Sequence, residues 1–519
     1  MNHIGRAEIY THYPYIDSSN VIDIIQKSMT PFRENADDCQ FLINYEKGIQ
    51  PIVRANPKKF MPEIDTQAVD GIPAEISDFW ISFAWSNPIS LIQRGDSETD
   101  KAEAIKELNN QYAATGHIRD MQKLARFVEI CGVGYTLIEI NKEWEDGEAY
   151  FTRAIVDPRN AFIVRSSYYP DKRVMLGVVF TTDDEGNIYM TAYSKDFMFI
   201  IRGDKIKNGR KIDYTKGFEW REETRSGEKN PMGRIPLIQW VRSEDRTGVF
   251  EKQISAIDNL NLILSDISNG IEQAISAVWL ATDVELPEIE VEDEAGNKVK
   301  QIQTIRDGQW LLTYTSKDGK TPNVKPLTLD YGVGEMRENY IAQRNLILQK
   351  CHVPQRNDNS GGSTGVATDS AAGWSDAEGQ AQTQECITIG CQMDEVKVVL
   401  AALRVSPDIP VDNPMLELKA SDIQPAIRRP KNFDLATKTN AIATLISHGF
   451  AIEDVIANIP LFQDATQVIS RSGEGVRLYQ DTIFQVVNDA EGGIDEVAPN
   501  NDRLQADLSD QVENSPLLG

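Results

Sequence analysis

The chain has 519 residues, 41% hydrophobic and 25% charged, with a formal net charge of −26. That length supports several modules with cores of their own, and the apolar content is ordinary for globular protein. The acidic balance argues against wrapping DNA by phosphate neutralisation, which needs clustered Lys and Arg, yet it suits a surface past which DNA slides without sticking.

The N-terminal MNHIGRAEIYTHYPYID carries no charged-then-apolar leader pattern, and no run of about 18 apolar residues predicts a membrane span. Residues 20–48 read as two helices, the first capped by Asn20 and the second opening at Pro31. Gly48 and Pro51 then stop the helical run. GIPAEISDFWISFAWSNPISLIQ predicts a buried helix ending in a short strand, and 101–131 is helical, with Ile105, Leu108, Tyr112, Met121, Leu124, Phe127 and Val128 at helical spacing. From Gly132 onward, β-branched and aromatic runs broken by Asp146-Gly147 and Glu185-Gly186-Asn187 predict strands and turns. Residues 1–248 therefore form an α+β domain.

A long amphipathic helix is predicted over 249–282, with a heptad seam of Ile257, Leu260, Leu264, Ile267, Ile271, Ala274 and Val278. Asp258, Asn261, Asp266, Asn269, Glu272 and Gln273 fall on its other faces. Residues 283–330 read as a compact β-rich insert. Its acidic run, Glu285, Glu288, Glu290, Glu292, Asp293 and Glu294, contains no Lys or Arg and offers either a solvated face or a docking surface for a basic partner. Ala295-Gly296-Asn297 and Asp318-Gly319 predict hairpin turns, and QWLLTYTS a strand. A return helix spans 331–354 with Met336, Tyr340 and Ile347 on one side.

Residues 355–373 form a polar, glycine-rich loop, long for a connection inside a domain. Ser375-Asp376-Ala377-Glu378 matches a capping box that opens a further helix toward Pro407. A Pro-rich extended segment covers 408–431, helices return over 432–488, and 489–519 lacks a hydrophobic pattern and reads as a disordered acidic tail. Paired helices that leave and return, with a compact module at one end and a loop at the other, suggest a rod that packs against copies of itself around an aqueous channel.

Motifs of catalysis are missing. GGSTGVATD lacks the Gly-Lys-Ser/Thr ending of a phosphate loop, and no G-x-S-x-G, H-E-x-x-H or EF-hand loop occurs. His3, His12, His117, His352 and His448 are scattered; Cys39, Cys131, Cys351, Cys386 and Cys391 read as reduced, buried side chains. No metal, cofactor or catalytic residue is predicted. Arg-Gly-Asp at 94–96 and 202–204 reads as a charged turn after a strand, and the basic stretch Arg428, Arg429, Lys431 as a partner for nearby acids.

The element order, with NYEKGIQPI (44–52), SNPISLI (86–92), ICGVGYTLIEI (130–140), RIPLIQW (234–240), SAIDNLNLILSDISNGIEQAISAVWL (255–280), GGSTGVA (361–367) and RPKNFDLATKTNAIATLISHGFAIEDVIANIP (429–460), resembles the portal proteins of tailed bacteriophages over roughly 30–480. The resemblance implies a mainly helical α+β fold: a wing (1–248), a stem helix (249–282), a clip (283–330), a second stem helix (331–354), a tunnel loop (355–373), a tunnel helix and wing return (374–431) and a helical crown (432–488). It implies a ring of itself, usually of twelve subunits, at one capsid vertex. Double-stranded DNA would pass through, with the terminase large subunit and later a head-completion or adaptor protein docking on the clip, and major capsid and scaffold proteins around it. Lys350, His352, Gln355, Arg356, Asn357, Ser360, Gly361, Gly362, Ser363, Thr364, Gly365 and Val366 would then face the DNA. A ring-forming head–tail adaptor that does not gate DNA, and a carboxylate-dependent nuclease using the acidic run, are the alternatives.

Overall fold

The computed structural model describes residues 4–54, 64–94, 101–168, 172–182, 188–205, 218–222, 227–275, 278–283, 288–292, 298–302, 310–313, 323–327, 332–355, 373–427, 429, 435–448 and 455. The chain divides into two units, Met1–Pro430 and Lys431–Gly519.

The first unit opens with strand β1 (Ile9–Thr11) and helix α1 (Val21–Glu46). The helix runs unbroken through Pro31, where two helices were expected. Val21, Ile24, Ile25, Met29, Phe32, Cys39, Leu42 and Tyr45 keep one buried stripe in phase across the proline. The carbonyl that Pro31 cannot bond belongs to exposed Lys27, so water can serve it. Asn20 precedes the helix without capping it; its side chain bonds Asp17 N–H and the Tyr15 carbonyl instead.

Helix α2 (Ile72–Ala84) leads to β2 (Ser90–Gln93), as the sequence suggests, and α3 (Ala102–Ala114) and α4 (His117–Cys131) share the predicted helical stretch. Gly132 ends α4 at φ +75, and a Cβ there would lie 2.2 Å from the Arg246 carbonyl oxygen, so only glycine lets the two backbones meet.

Nine strands follow: β3 (Val133–Ile140), β4 (Phe151–Val156), β5 (Ala161–Ser166), β6 (Val174–Thr182), β7 (Ile188–Tyr193), β8 (Phe197–Lys205), β9 (Phe218–Glu222), β10 (Glu228–Lys229) and β11 (Leu237–Val241). One sheet runs β1-β5-β6-β7-β8-β10, with β9 also on β8; β1 joins β5 in parallel and the other pairs are antiparallel. A second sheet runs β11-β3-β4. Arg202-Gly203-Asp204 lies inside β8, not in a turn; Arg202 stands opposite Tyr189 in register, its guanidinium 5.3 Å from the ring centroid. Residues 95–96 of the other Arg-Gly-Asp, and Glu185-Gly186-Asn187, lie outside the described residues.

Helix α5 (Ile254–Ile275) is shorter than predicted, and Val278 opens strand β12 (Val278–Thr282) instead of closing the helical seam. Strands β13 (Glu288–Glu292), β14 (Lys298–Ile302), β15 (Trp310–Thr313) and β16 (Asn323–Leu327) follow, then α6 (Val333–Lys350). β13 and β14 form an antiparallel pair; Ala295-Gly296-Asn297 between them lies outside the described residues. Asp318-Gly319 lies outside the described residues; the strands on either side of it, β15 and β16, flank β12, one parallel and one antiparallel to it. Helix α7 (Trp374–Val405) precedes β17 (Ile423–Ala426), which pairs with β2 and brings the chain back to its N-terminal part.

Three large cores hold this unit. One packs α1's first half, Phe162, Val164, Leu176, Val178 and Phe199. A second joins the end of α1 to Trp80, Phe250, Ile257, Leu260, Ile347 and Leu348. The third buries α3, α4 and Val396–Leu403 against Ile138 and Trp240. The second unit is described at α8 (Leu435–Ser447), within the predicted helical stretch; the remaining predicted helices and the tail fall outside the described residues.

Candidate functional site: the helix pair and the loop base

Burial fades along α5. Ile257 and Leu260 are fully buried, Leu264 and Ile267 half-buried, and Ile271 is 44% exposed. Antiparallel α6 mirrors this: Ile347 and Leu348 near its end are buried, whereas residues 334–339 are all exposed and Met336, Ile341 and Leu346 present apolar surface to water. The two helices are thus rooted at one end, α5's beginning and α6's end, in the core around Trp80. Ala274 and the side chain of Val278 lie outside the described surfaces.

Asn261, Ser265 and Asn269, spaced four apart, form a second, polar stripe that is also buried. Their side chains accept the backbone N–H groups of Asp70 (2.9 Å), Ala68 (3.0 Å) and Thr66 (2.7 Å). Four helical residues rise about 6.0 Å and two extended residues about 6.6 Å, so the strap keeps step with the helix. Asp70 also accepts the Tyr340 hydroxyl and sits 3.4 Å from Arg344 Nε, and Arg344 pairs with Glu75. Burial, with the bond to Asp70, pushes the Tyr340 hydroxyl up to about 12. The strap therefore binds α5 on one side and α6 on the other. Sequence reasoning placed Asn261 and Asn269 on faces other than the apolar seam and missed this; their spacing was the available signal.

At the end of α6, Lys350 is exposed and His352 takes a left-handed conformation, φ +56. His352 Nδ1 lies 2.7 Å from Asp376 on α7, Gln355 donates to the Asn345 carbonyl at 2.7 Å, and Trp80 Nε1 donates to the Cys351 carbonyl at 3.0 Å. On the far side of the loop, the Trp374 ring lies tilted against those of Phe79 and Phe83. Both ends of the predicted loop are pinned to one wall. Arg356, Asn357, Ser360, Gly361, Gly362, Ser363, Thr364, Gly365 and Val366 lie outside the described residues.

The capping box does not form. Gly373, at φ +87, precedes the helix without a side-chain cap, and Glu378 is drawn away by Arg429, whose guanidinium also reaches Glu385. Arg429 thus has acidic partners within its own chain. Deeper in α7, Gln384 donates to Glu129, which also receives Trp85 Nε1 (2.8 Å) and Arg242 Nε (2.9 Å). Glu395 receives Arg153 Nε (2.9 Å) and Thr136 Oγ1 (2.8 Å), all buried. These carboxylates fasten α7 to α4 and to the β11-β3-β4 sheet.

In the insert, Glu290 stands opposite Lys300 and Glu292 opposite Lys298, while Glu288 faces Ile302. The acidic run is therefore interleaved in register with lysines that the linear sequence separates from it. Glu285, Asp293 and Glu294 lie outside the described residues. Among the described residues no group of three or more His, Cys, Asp or Glu is placed to hold a metal, and no helix is long and apolar enough to cross a membrane.

A family model described as phage portal protein, SPP1 Gp6-like, matches residues 29–471. The chain belongs to this portal family. The match runs from within α1 past α8, so it includes the helix pair, the insert and the loop base. Portal proteins are a structural family, which accords with a site made of packing and ion pairs. Among solved structures, the portal chain is similar to a chain of the neck of an empty GTA particle computed with C6 symmetry, at 10% identity, TM-score 0.37, covering 74% of this chain and 88% of that one. It is similar as well to one of the neck of the native GTA particle computed with C12 symmetry (9% identity, TM-score 0.37, 76% and 90% covered). A third, from the virion of the native gene transfer agent particle, gives 11%, 0.35, 74% and 88%. No curated protein matches the chain.

Proposed function

We propose that this portal protein forms a homo-oligomeric ring, of twelve subunits in the head, at one vertex of a capsid, and that double-stranded DNA enters and leaves through its centre. In this reading α5 and α6 are the stem, residues 283–330 the clip, and 355–373 the loop that meets DNA. The terminase large subunit and later a head-completion protein dock on the clip, and capsid and scaffold proteins surround the wing.

The observation that carries the reading is the exposure of α6. Beyond its root and its polar ties to the strap, α6 buries just Ile347 and Leu348, and the exposed Met336, Ile341 and Leu346 call for neighbours. Side-by-side copies supply them. The net charge of −26 favours passage over adhesion, because each phosphate contact made by a cation must be broken again as DNA moves.

Native mass measurement of the purified chain tests the ring: a closed oligomer is expected, and a monomer under all conditions refutes it. Shortening 361–368 tests the loop. Rings should still assemble while heads fail to fill; filled heads would favour an adaptor whose loop does not touch DNA.

A further inference from the structure

Away from the helix pair, a small cavity of about 20 Å³ lies where β1 and β5 of the larger sheet meet β3, β11 and α1; Arg6, Asn35, Cys39, Tyr135, Arg165 and Gln239 are among its walls. It has room for one water or one monatomic ion. Its polar character is one-sided. Arg6, whose side chain is 2% exposed, gives one nitrogen to Glu251, while its Nε and Nη1 have no hydrogen-bond partner among the protein's atoms. Arg165 Nε has none either; it lies 3.4 Å from Glu8 without hydrogen-bond geometry. Tyr135 accepts from Gln239 Nε2 at 3.0 Å, which leaves its own proton to donate.

The oxygen acceptors nearby are already engaged, and the Cys39 sulfur beside Arg6 is a weak acceptor. Glu8 serves Tyr10 and Arg246, Gln239 Oε1 accepts from Arg165 Nη2, and Asn35 and the Ala7 backbone bond each other. Charge is unbalanced in the same sense: Arg6, Arg165 and Arg246 pair with Glu8 and Glu251, three cations to two carboxylates, and Lys172 near Glu8 adds to the positive side. The neighbouring Asp157–Arg159 pair cancels itself. A water would need acceptors for its protons, whereas an anion needs donors alone and also neutralises the excess. Buried guanidinium nitrogens left without a well-aligned acceptor are costly.

We propose that this cavity binds a single monatomic anion of chloride size, held by Arg6 and Arg165, and that the ion ties the N-terminal strand and α1 to both sheets. A bound ion that leaves on unfolding stabilises by mass action. The assembled protein is melted in 200 mM sodium chloride and in 200 mM sodium methanesulfonate, whose anion is too large for the cavity. The apparent Tm should be higher in chloride by on the order of 2 °C. Arg165→Gln, which removes from a partly exposed position one of the two guanidinium groups that hold the ion, should abolish that difference. Crystals grown in bromide should show an anomalous peak inside the cavity. Equal melting in the two salts, or cavity density without anomalous signal, would mean that a water sits there and would overturn the proposal.

Discussion

Thr66 donates its backbone N–H to Oδ1 of Asn269 at 2.7 Å, across 203 positions of sequence. With the equivalent bonds at Ala68 and Asp70, it makes the strap a spacer of fixed register between the two helices. Removing one rung leaves a buried N–H unserved. Asn261→Ala would strand the Asp70 amide and the Gln50 side chain that Asn261 also binds. A loss of about 1–3 kcal/mol is expected, read from urea denaturation. Leu262→Ala, one residue on and 54% exposed, should cost far less in the single chain.

Arg153 and Glu395 form a fully buried ion pair. Arg153→Ala should destabilise by about 3–5 kcal/mol, because the carboxylate stays buried without its cation. The double variant Arg153→Met, Glu395→Leu should recover most of that loss. A double variant as unstable as the single would show that the pair itself, not the orphaned charge, carries the energy.

His117 is buried beside Tyr112, and burial together with Arg153 holds its imidazole down to about 4, against an ordinary value near 6.5. The unfolded chain binds its proton first as pH falls. The stabilisation is therefore complete above about pH 6.5 and is lost progressively toward pH 4, at up to about 1.4 kcal/mol per pH unit. Urea midpoints at pH 7, 5.5 and 4.5 should show this slope, and His117→Gln should flatten it.

Arg429 clamps Glu378 and Glu385 at the start of α7. Arg429→Ala should leave the fold intact while loosening that end of the helix. Hydrogen exchange over 375–386 is expected to accelerate about tenfold or more, with the segment around Glu395 unchanged. Uniform acceleration along α7 would assign Arg429 to global stability instead.

Most strands and helices were legible from apolar period and β-branched runs, and the helix–insert–helix order followed from them. Side-chain roles were less so. Asn261, Ser265 and Asn269 look like a solvent face because polarity alone does not tell water from backbone amides as the partner. Ser375 and Glu378 match a capping box, yet Arg429, fifty-one residues on, competes for the carboxylate and wins by charge. Pro31 is a local breaker overridden by a buried stripe that continues on both sides of it. The pairing of β12 with both β15 and β16 was not legible either, because apolar runs do not say which strands become neighbours. For the loop itself, composition was readable and geometry was not.

The placement of β12 has a mechanical consequence. Two residues separate it from the end of α5, and it is gripped on one edge by β15 and on the other by β16. A pull along that strand loads both ladders in shear, so their hydrogen bonds resist together rather than peeling open one at a time. Tension applied along β12 is thereby shared between β15 and β16 at once.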